Sequence, residues 1–340
     1  MPHSRIVISP RDRVTVIRGP QGPGGTIPAA LERALLEAAR RRKADEEINR
    51  KWTSLGGAPG NPTGDLLAIG DGFYREYVHG SIYYRPGVTP FYVYGAIGEK
   101  YTQLGGPSSW LGWPTSDEQP FDEGGRISKF QYGAIYWWHD TEAIPLGDVV
   151  VRYTGLACFG ETDHDQFSSA DEPYVIFGVV PVVPMDPSAP RTVIYEDVDA
   201  GDSRIDNIEL YRGLPYGLSL TAALYEHDFS DPEKMRREIQ EVIDVAIKSG
   251  EELAKQEGAS SGEVGFWAAI GKWVAERILE LMDLEDDFVG QVTFPVTAKN
   301  MVTMAYSPAK DFRAIQWDMD SPLITGDGAS YKVYLDIKAV

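Results

Sequence analysis

The chain has 340 residues, with 32 Lys and Arg against 51 Asp and Glu and a formal charge of -19. A hydrophobic share of 43% excludes wholesale disorder, and at about 100–200 residues per domain the length holds two or three domains. The acidic balance repels phosphate backbones and anionic lipid, so nucleic-acid binding is not expected, and contact with a bilayer needs a bridging cation or an apolar tip. Cys158 is the sole cysteine, which rules out an intrachain disulfide and any multi-cysteine zinc or iron–sulfur site. No run of about 18 apolar residues occurs, and the Met1-Pro-His-Ser-Arg start lacks the apolar stretch of a secretory signal. Neither a membrane-spanning helix nor signal-directed export is therefore expected.

In chain order, Arg5–Ser9 and Arg13–Arg18 read as short strands, followed by a Gly- and Pro-rich turn over 19–25. Pro28 to Lys51 reads as a helix with Leu31, Leu35, Leu36 and Ala39 on one stripe; its basic run, Arg40-Arg41-Arg42-Lys43, is a solvated face or a patch for an acidic partner. Residues 1–47 thus form an N-terminal segment, and 48–148 contain an internal repeat. Ile48-Asn-Arg-Lys-Trp-Thr-Ser-Leu-Gly-Gly57 returns as Ile97-Gly-Glu-Lys-Tyr-Thr-Gln-Leu-Gly-Gly106, and Gly80-Ser-Ile-Tyr-Tyr84 returns as Gly133-Ala-Ile-Tyr-Trp137. Between them, Pro62-Thr63 matches Pro114-Thr115. The offset grows from 49 to 53 residues, so the second copy carries a net four more. Each unit, 48–96 and 97–148, reads as a short helix ending on Leu-Gly-Gly and a Pro-Thr turn. Aromatic strands follow, from Phe73–Tyr77 in one copy and Ile127–Phe130 in the other.

This pattern resembles the LGFP repeat of actinobacterial cell-envelope proteins. The second copy carries the motif in Leu111-Gly-Trp-Pro-Thr-Ser-Asp-Glu118, Phe130 and Gly133–Trp137, whereas the first departs with Gly60-Asn-Pro-Thr-Gly64. The resemblance implies attachment to envelope polysaccharide or peptidoglycan, without catalysis. Trp110, Trp113, Tyr136 and Trp137 are then candidates to stack on sugar rings, since an aromatic face packs well on the apolar face of a pyranose. For Tyr136 and Trp138, which alternate along a short strand, packing in the core is the simpler reading. Two copies are few for a repeat stack, so a neighbour, a second subunit of a homo-oligomer or a larger assembly is expected against them.

Beyond Asp148 the texture changes to long β runs: Val149–Phe159, Tyr174–Val183, Thr192–Tyr195, Leu218–Tyr225, Phe288–Val296, Met301–Ala305 and Tyr331–Val340. This number of strands over 149–340 suggests an antiparallel β-sandwich. Acids cluster where the strands end. Two carboxylates about 4 Å apart repel by about 4 kcal/mol at an effective dielectric of 20, so such clusters need a cation, a raised pKa or separation in space. Calcium tolerates irregular loops of oxygen ligands better than magnesium does, and the alternative is that the acids cap turns.

Three fragments, Asp163–Val175, Leu218–Asp228 and Glu285–Thr293, together resemble the C2 domain, a calcium-dependent lipid-binding sandwich. The resemblance implies calcium ligands among Asp163, Asp165, Asp171, Glu172, Glu226, Asp228, Asp231, Asp286 and Asp287. It also implies phospholipid contact through Phe167 and Phe229 once calcium has neutralised the loops. Glu172 and Glu226 stand where the family has aspartates. Residues 232–284 form an insert that the family lacks, reading as a helical hairpin: Met235, Ile239, Val242, Ala246 and Leu253 on one stripe, Phe266, Ile270, Trp273, Val274, Ile278 and Leu281 on the other. Lys255–Gly262 forms the turn between them.

For catalysis the chain offers little. The five histidines form no His-x-x-x-His pair, no Gly-x-Ser-x-Gly elbow is present, and the glycines at 19–25 lack the lysine of a phosphate loop. A glycosidase carboxylate pair leaves no sequence signature. The expected fold is mainly β (α+β): two LGFP-type β repeats, then a C2-like sandwich with a helical insertion. The expected function is non-enzymatic adhesion at an extracellular or envelope-facing site, through glycan and calcium with phospholipid. Two other classes stay open: a structural or host-binding part of a phage tail or injection machine, and a secreted hydrolase targeted to the wall by its repeats.

Overall fold

The computed structural model describes residues 5–8, 14–17, 28–161, 171–182, 188–227, 231–257, 272–274, 276–278, 280 and 288–340. It is mainly β and divides into two compact units, Met1–Leu146 and Gly147–Val340.

In the first unit, β1 (Arg5–Ile8) and β2 (Val14–Ile17) pair antiparallel. Helix α1 (Ala29–Ser54) is longer than its repeat motif requires. Its C-terminal half buries Ala44 and Ile48 and partly buries Trp52 and Leu55, while Leu31 and Leu35 near its start are exposed. Four strands follow as an antiparallel meander: β3 (Leu67–Ile69), β4 (Gly72–Tyr77), β5 (Gly80–Tyr84) and β6 (Phe91–Val93). Helix α2 (Gly95–Gln103) then leads to a second meander, β7 (Gln119–Phe121), β8 (Gly125–Phe130), β9 (Gly133–Trp137) and β10 (Ile144–Leu146).

The period of two along these strands sorts the aromatic residues to opposite faces. Phe73, Tyr77, Ile82, Tyr84 and Tyr92 pack with α1. Tyr74, Tyr83 and Val93 pack with Ile97 and Tyr101 of α2, which also meet Leu111 and, from the second meander, Phe130 and Ile135. The order is therefore helix, sheet, helix, sheet. A helix of nine residues is marginal in isolation. Packing between two sheets is what stabilises α2.

Both helices end on Leu-Gly-Gly, with positive φ at Gly56, Gly57, Gly105 and Gly106. At matching positions, Trp52 Nε1 donates to the Gly60 carbonyl at 2.8 Å and the Tyr101 hydroxyl donates to the Gly112 carbonyl at 2.7 Å. The Lys-aromatic-Thr element of the repeat thus fastens each helix to the turn that follows it. Strand registers also locate the four extra residues of the second copy. Three precede Leu111, where a short 3-10 turn spans Gly106–Ser108, and one lies in the β7–β8 turn, where Glu123 has a φ of 53°.

In the second unit, one sheet has the order β13 (Ser203–Gly213), β11 (Val149–Gly160), β20 (Ala329–Ala339), β18 (Met319–Asp320), with β19 (Ile324–Gly326) also paired to β20. A second sheet has the order β12 (Pro173–Pro181), β14 (Leu218–Glu226), β15 (Phe288–Val296), and β16 (Lys310–Phe312) pairs with β17 (Ile315–Trp317) as a separate hairpin. Tyr153 of β11 meets Phe177 of β12 at a ring separation of 5.0 Å. The other face of β12, with Tyr174, Ile176 and Val180, packs against Met235, Ile239, Ile243 and Ala246 of α3 (Pro232–Glu257) and against Val274 and Ile278 in a further helical stretch. Every residue of β12 is buried, the continuous apolar run of a strand covered on both faces. Of the residues expected on the helical stripes, Trp273 is exposed, and Phe266, Ile270 and Leu281 lie outside the described residues.

Three strand expectations need correction. Met301–Ala305 is not a strand: Ala298–Met304 forms helix α4, because Thr297 and Asn300 close a reciprocal capping box, and Ala298, Met301 and Val302 are buried. Thr192–Tyr195 runs beside β12 through scattered bonds but forms no ladder; Pro190, which accepts from Phe177 N–H, has no N–H of its own to return. Strand β13 was not anticipated, and the register shifts where it pairs with β11 explain why no clean alternation marks it.

Candidate functional site

In the repeat pair, the four glycan candidates fall in different surroundings. Tyr136 is fully buried, within 5.3 Å of the Phe121 ring. Trp113 is buried too: its ring lies where a Cβ on Gly72 would sit, and its indole N–H donates to Asp71 Oδ1 at 3.0 Å. Trp137 is half-buried beside the α2 core. Trp110 is 49% exposed and rests against Gly133. One further aromatic was missed from the sequence. Tyr132, at the tip of the β8–β9 turn, is 70% exposed and lies against Gly112. A large aromatic at a turn tip is not needed for packing, and that was the available signal.

Asp71, which takes the Trp113 indole, also accepts from Arg85 Nε at 2.7 Å. Burial pushes its carboxyl up, but the Arg85 hydrogen bond and charge, with the indole N–H, hold it below the ordinary range. The rest of the joint is polar. Asp117 Oδ1 accepts from Tyr92 N–H at 2.8 Å while Oδ2 pairs with Lys51, and Tyr94 donates to Glu118 at 3.0 Å.

At the acidic end of the second unit, Asp163, Asp165, Phe167, Asp228, Phe229, Asp286 and Asp287 lie outside the described residues. Asp171 is 4% exposed, and the Tyr331 hydroxyl donates to its Oδ2 at 2.6 Å. Burial first, then the Asp171 and Cys158 side chains, raise the Tyr331 hydroxyl far above its ordinary range, so it stays a donor. Asp231 caps α3: its Oδ1 accepts from Glu233 N–H at 3.0 Å and its carbonyl from Met235 N–H at 3.2 Å. Glu172 and Glu226 are brought together at the adjoining ends of β12 and β14, where Glu226 Oε1 accepts from the Glu172 N–H. Asp171, Asp231 and Glu226 thus each accept from a protein donor, and Glu172 meets Glu226 through its backbone N–H. Among the described residues no group of three or more His, Cys, Asp or Glu converges as a metal site. Cys158 is buried and its thiol is pushed up by that burial, which leaves it inert. No helix among the described residues is long and apolar enough to cross a membrane.

The LGFP repeat family matches residues 59–109 and 111–156. The family frames each unit from the Gly-x-Pro turn onward, so that α2 closes the first match rather than opening the second. No curated protein matches the chain. Among solved structures, human GIVD cytosolic phospholipase A2, in complex with methyl gamma-linolenyl fluorophosphonate inhibitor and terbium chloride, is similar at 11% identity over 57% of this chain and 17% of that chain, with a TM-score of 0.24. At that score the likeness shows neither fold nor function, and the match takes in less than a fifth of that enzyme. The LGFP repeats point to a cell-envelope-associated protein.

Proposed function

We propose that the protein binds a cell-envelope glycan without acting on it as an enzyme. The observation that carries this reading is the exposure of Trp110, which rests on Gly133, and of Tyr132, which rests on Gly112, beside an LGFP repeat whose other large aromatics are mostly buried. Exposed aromatic faces supply a stacking surface for a sugar ring, and Trp137 at half burial supplies an edge. Sedimentation with purified envelope polysaccharide tests it. The parent chain should co-sediment, and Trp110→Ala with Tyr132→Ala should release it with an unchanged melting curve. Equal sedimentation of the two proteins overturns the role of the pair.

A second part of the reading concerns calcium. The Glu226 carboxylate beside the Glu172 N–H, at the adjoining ends of β12 and β14, supports a cation there, with Asp163, Asp165 and Asp228, which lie outside the described residues, as the further ligands that the sequence suggests. Phospholipid contact through Phe167 and Phe229 depends on that cation. Calorimetric titration with calcium should give heat in the parent that Glu172→Gln with Glu226→Gln removes. A silent titration in the parent sinks both the calcium and the lipid parts, and leaves the glycan part standing.

A further inference from the structure

Between α1 and the β5–β6 turn lies a cleft of about 690 Å³, lined by Lys43, Glu47, Arg50 and Lys51 of the helix, with Tyr84 beside them and Thr89 on the turn. The volume falls in the roughly 300–1,000 Å³ range of ligand sites. Glu47 organises the cations: its Oε1 lies 3.0 Å from Lys43 Nζ and its Oε2 lies 2.6 Å from Arg50 Nη1. Lys51 is tied to Asp117.

The same positions in the second repeat keep Lys100 for Lys51 but are otherwise less basic. By the helix and strand registers, Ala96 replaces Glu47, Glu99 replaces Arg50, and Glu142 replaces Thr89, while Asp140 replaces Gly87. Helix α2 begins at Gly95 and has no turn that corresponds to Lys43. The fold is thus assembled in the second repeat without the Lys43 and Arg50 charges. Packing does not require the basic lining of the first cleft, nor the long helix that supplies it. On a chain of charge -19, a concave cluster of three cations is set against the prevailing field.

We propose that this cleft binds an oxyanion carried on a polyhydroxyl chain, the chemistry shared by polyol phosphodiesters and uronate-containing polysaccharides. The inference rests on the envelope-binding reading and names the charged part of the polymer. Arg50 supplies a planar fork of donors of which Glu47 takes one edge, and Lys43 supplies a compact ammonium. Thr89 adds a hydroxyl on the facing wall. Glu99, Asp140 and Glu142 at the matching positions of the second repeat repel the same group, so the polymer is held by charge in repeat 1 and by aromatic contact in repeat 2.

Calorimetry of the full chain with glycerol phosphate, oligogalacturonate and a neutral oligosaccharide tests it. At least one anion should bind, the neutral sugar should not compete for the cleft, and high salt should weaken the complex. Binding of one anion alone assigns the source. Lys43→Ala with Arg50→Ala should weaken binding at least tenfold, Arg50→Lys should keep the charge but lose the fork and so weaken it less than the double variant, and Glu99→Ala in the second repeat should leave it unchanged. Melting curves check that each variant folds. No heat with either anion, or unaltered affinity in the double variant, overturns the proposal. Failure of the parent chain to sediment with envelope overturns the envelope reading instead; sedimentation together with silent anion titrations overturns the cleft alone.

Discussion

Repeat 1 and repeat 2 share a meander, a glycine-ended helix and an aromatic donor to the Gly-x-Pro turn, yet their outer ends are built differently from the joint between them. At the joint, repeat 2 offers Trp113, Asp117 and Glu118, which repeat 1 receives at Gly72 and Asp71, at Tyr92 N–H with Lys51, and at Tyr94. On the opposite side of repeat 1, Asn61 and Leu66 stand where repeat 2 has Trp113 and Glu118. In repeat 2, Pro145 stands where repeat 1 has Tyr92, so there is no N–H for another carboxylate. Trp138, whose indole donates to Asp122 O at 2.8 Å, lies on Gly125 as Trp113 lies on Gly72. The lesson is that a two-unit array is terminated by a handful of substitutions at its ends, with the fold of each unit left intact.

The comparison breaks most completely at the joint itself. Trp113→Ala should cost about 3–5 kcal/mol, because it empties a buried site that both repeats share; Asn61→Ala at the matching exposed position should stay within about 0.5 kcal/mol. Thermal or denaturant unfolding measures both, and comparable losses would show that the two positions are equivalent after all. Next, Tyr101→Phe should cost about 1–3 kcal/mol by leaving the Gly112 carbonyl without its buried donor, seen as a lowered midpoint with an unchanged denaturant slope.

Smaller effects sharpen the polar contrast. Lys51→Met should cost about 1 kcal/mol or less, and a double-mutant cycle with Asp117→Asn should show coupling, whereas Lys100→Met should be neutral. The smallest expected effect is a pH dependence. Because the folded Asp71 carboxyl lies below its ordinary value near 3.8, its contribution is complete above that pH and fades as the pH falls through the lowered value. Its side chain is 55% exposed, so the loss should stay below about 1 kcal/mol. Asp71→Asn should flatten this acid limb, and an unaltered limb would place the titration elsewhere.

Much of the repeat pair was legible in the residues. Leu-Gly-Gly marks a helix end because only glycine takes positive φ freely, and the shifting offset announced the four extra residues. What the pattern left open was which aromatic side chains serve the core. Trp110 and Trp113 are three residues apart and chemically alike, but one caps a turn in solvent and the other fills the joint. In the second unit, the apolar runs of β11, β12, β14, β15 and β20 were plain, whereas bulged pairing hid β13 and a capping box turned an apparent strand into α4.

The sequence by itself determined the repeat, its helix ends, the long apolar strands and the acidic excess, because these follow from local stereochemistry, periodicity and composition. Only the tertiary structure decided what the charges do. Asp231 became a helix cap, Asp171 took a buried hydroxyl, and Asp117 joined two repeats. The Asp231 partners are local, but those of Asp117 and Asp171 lie 25 and 160 residues away in the chain, separations at which no local pattern constrains which donor a carboxylate will meet.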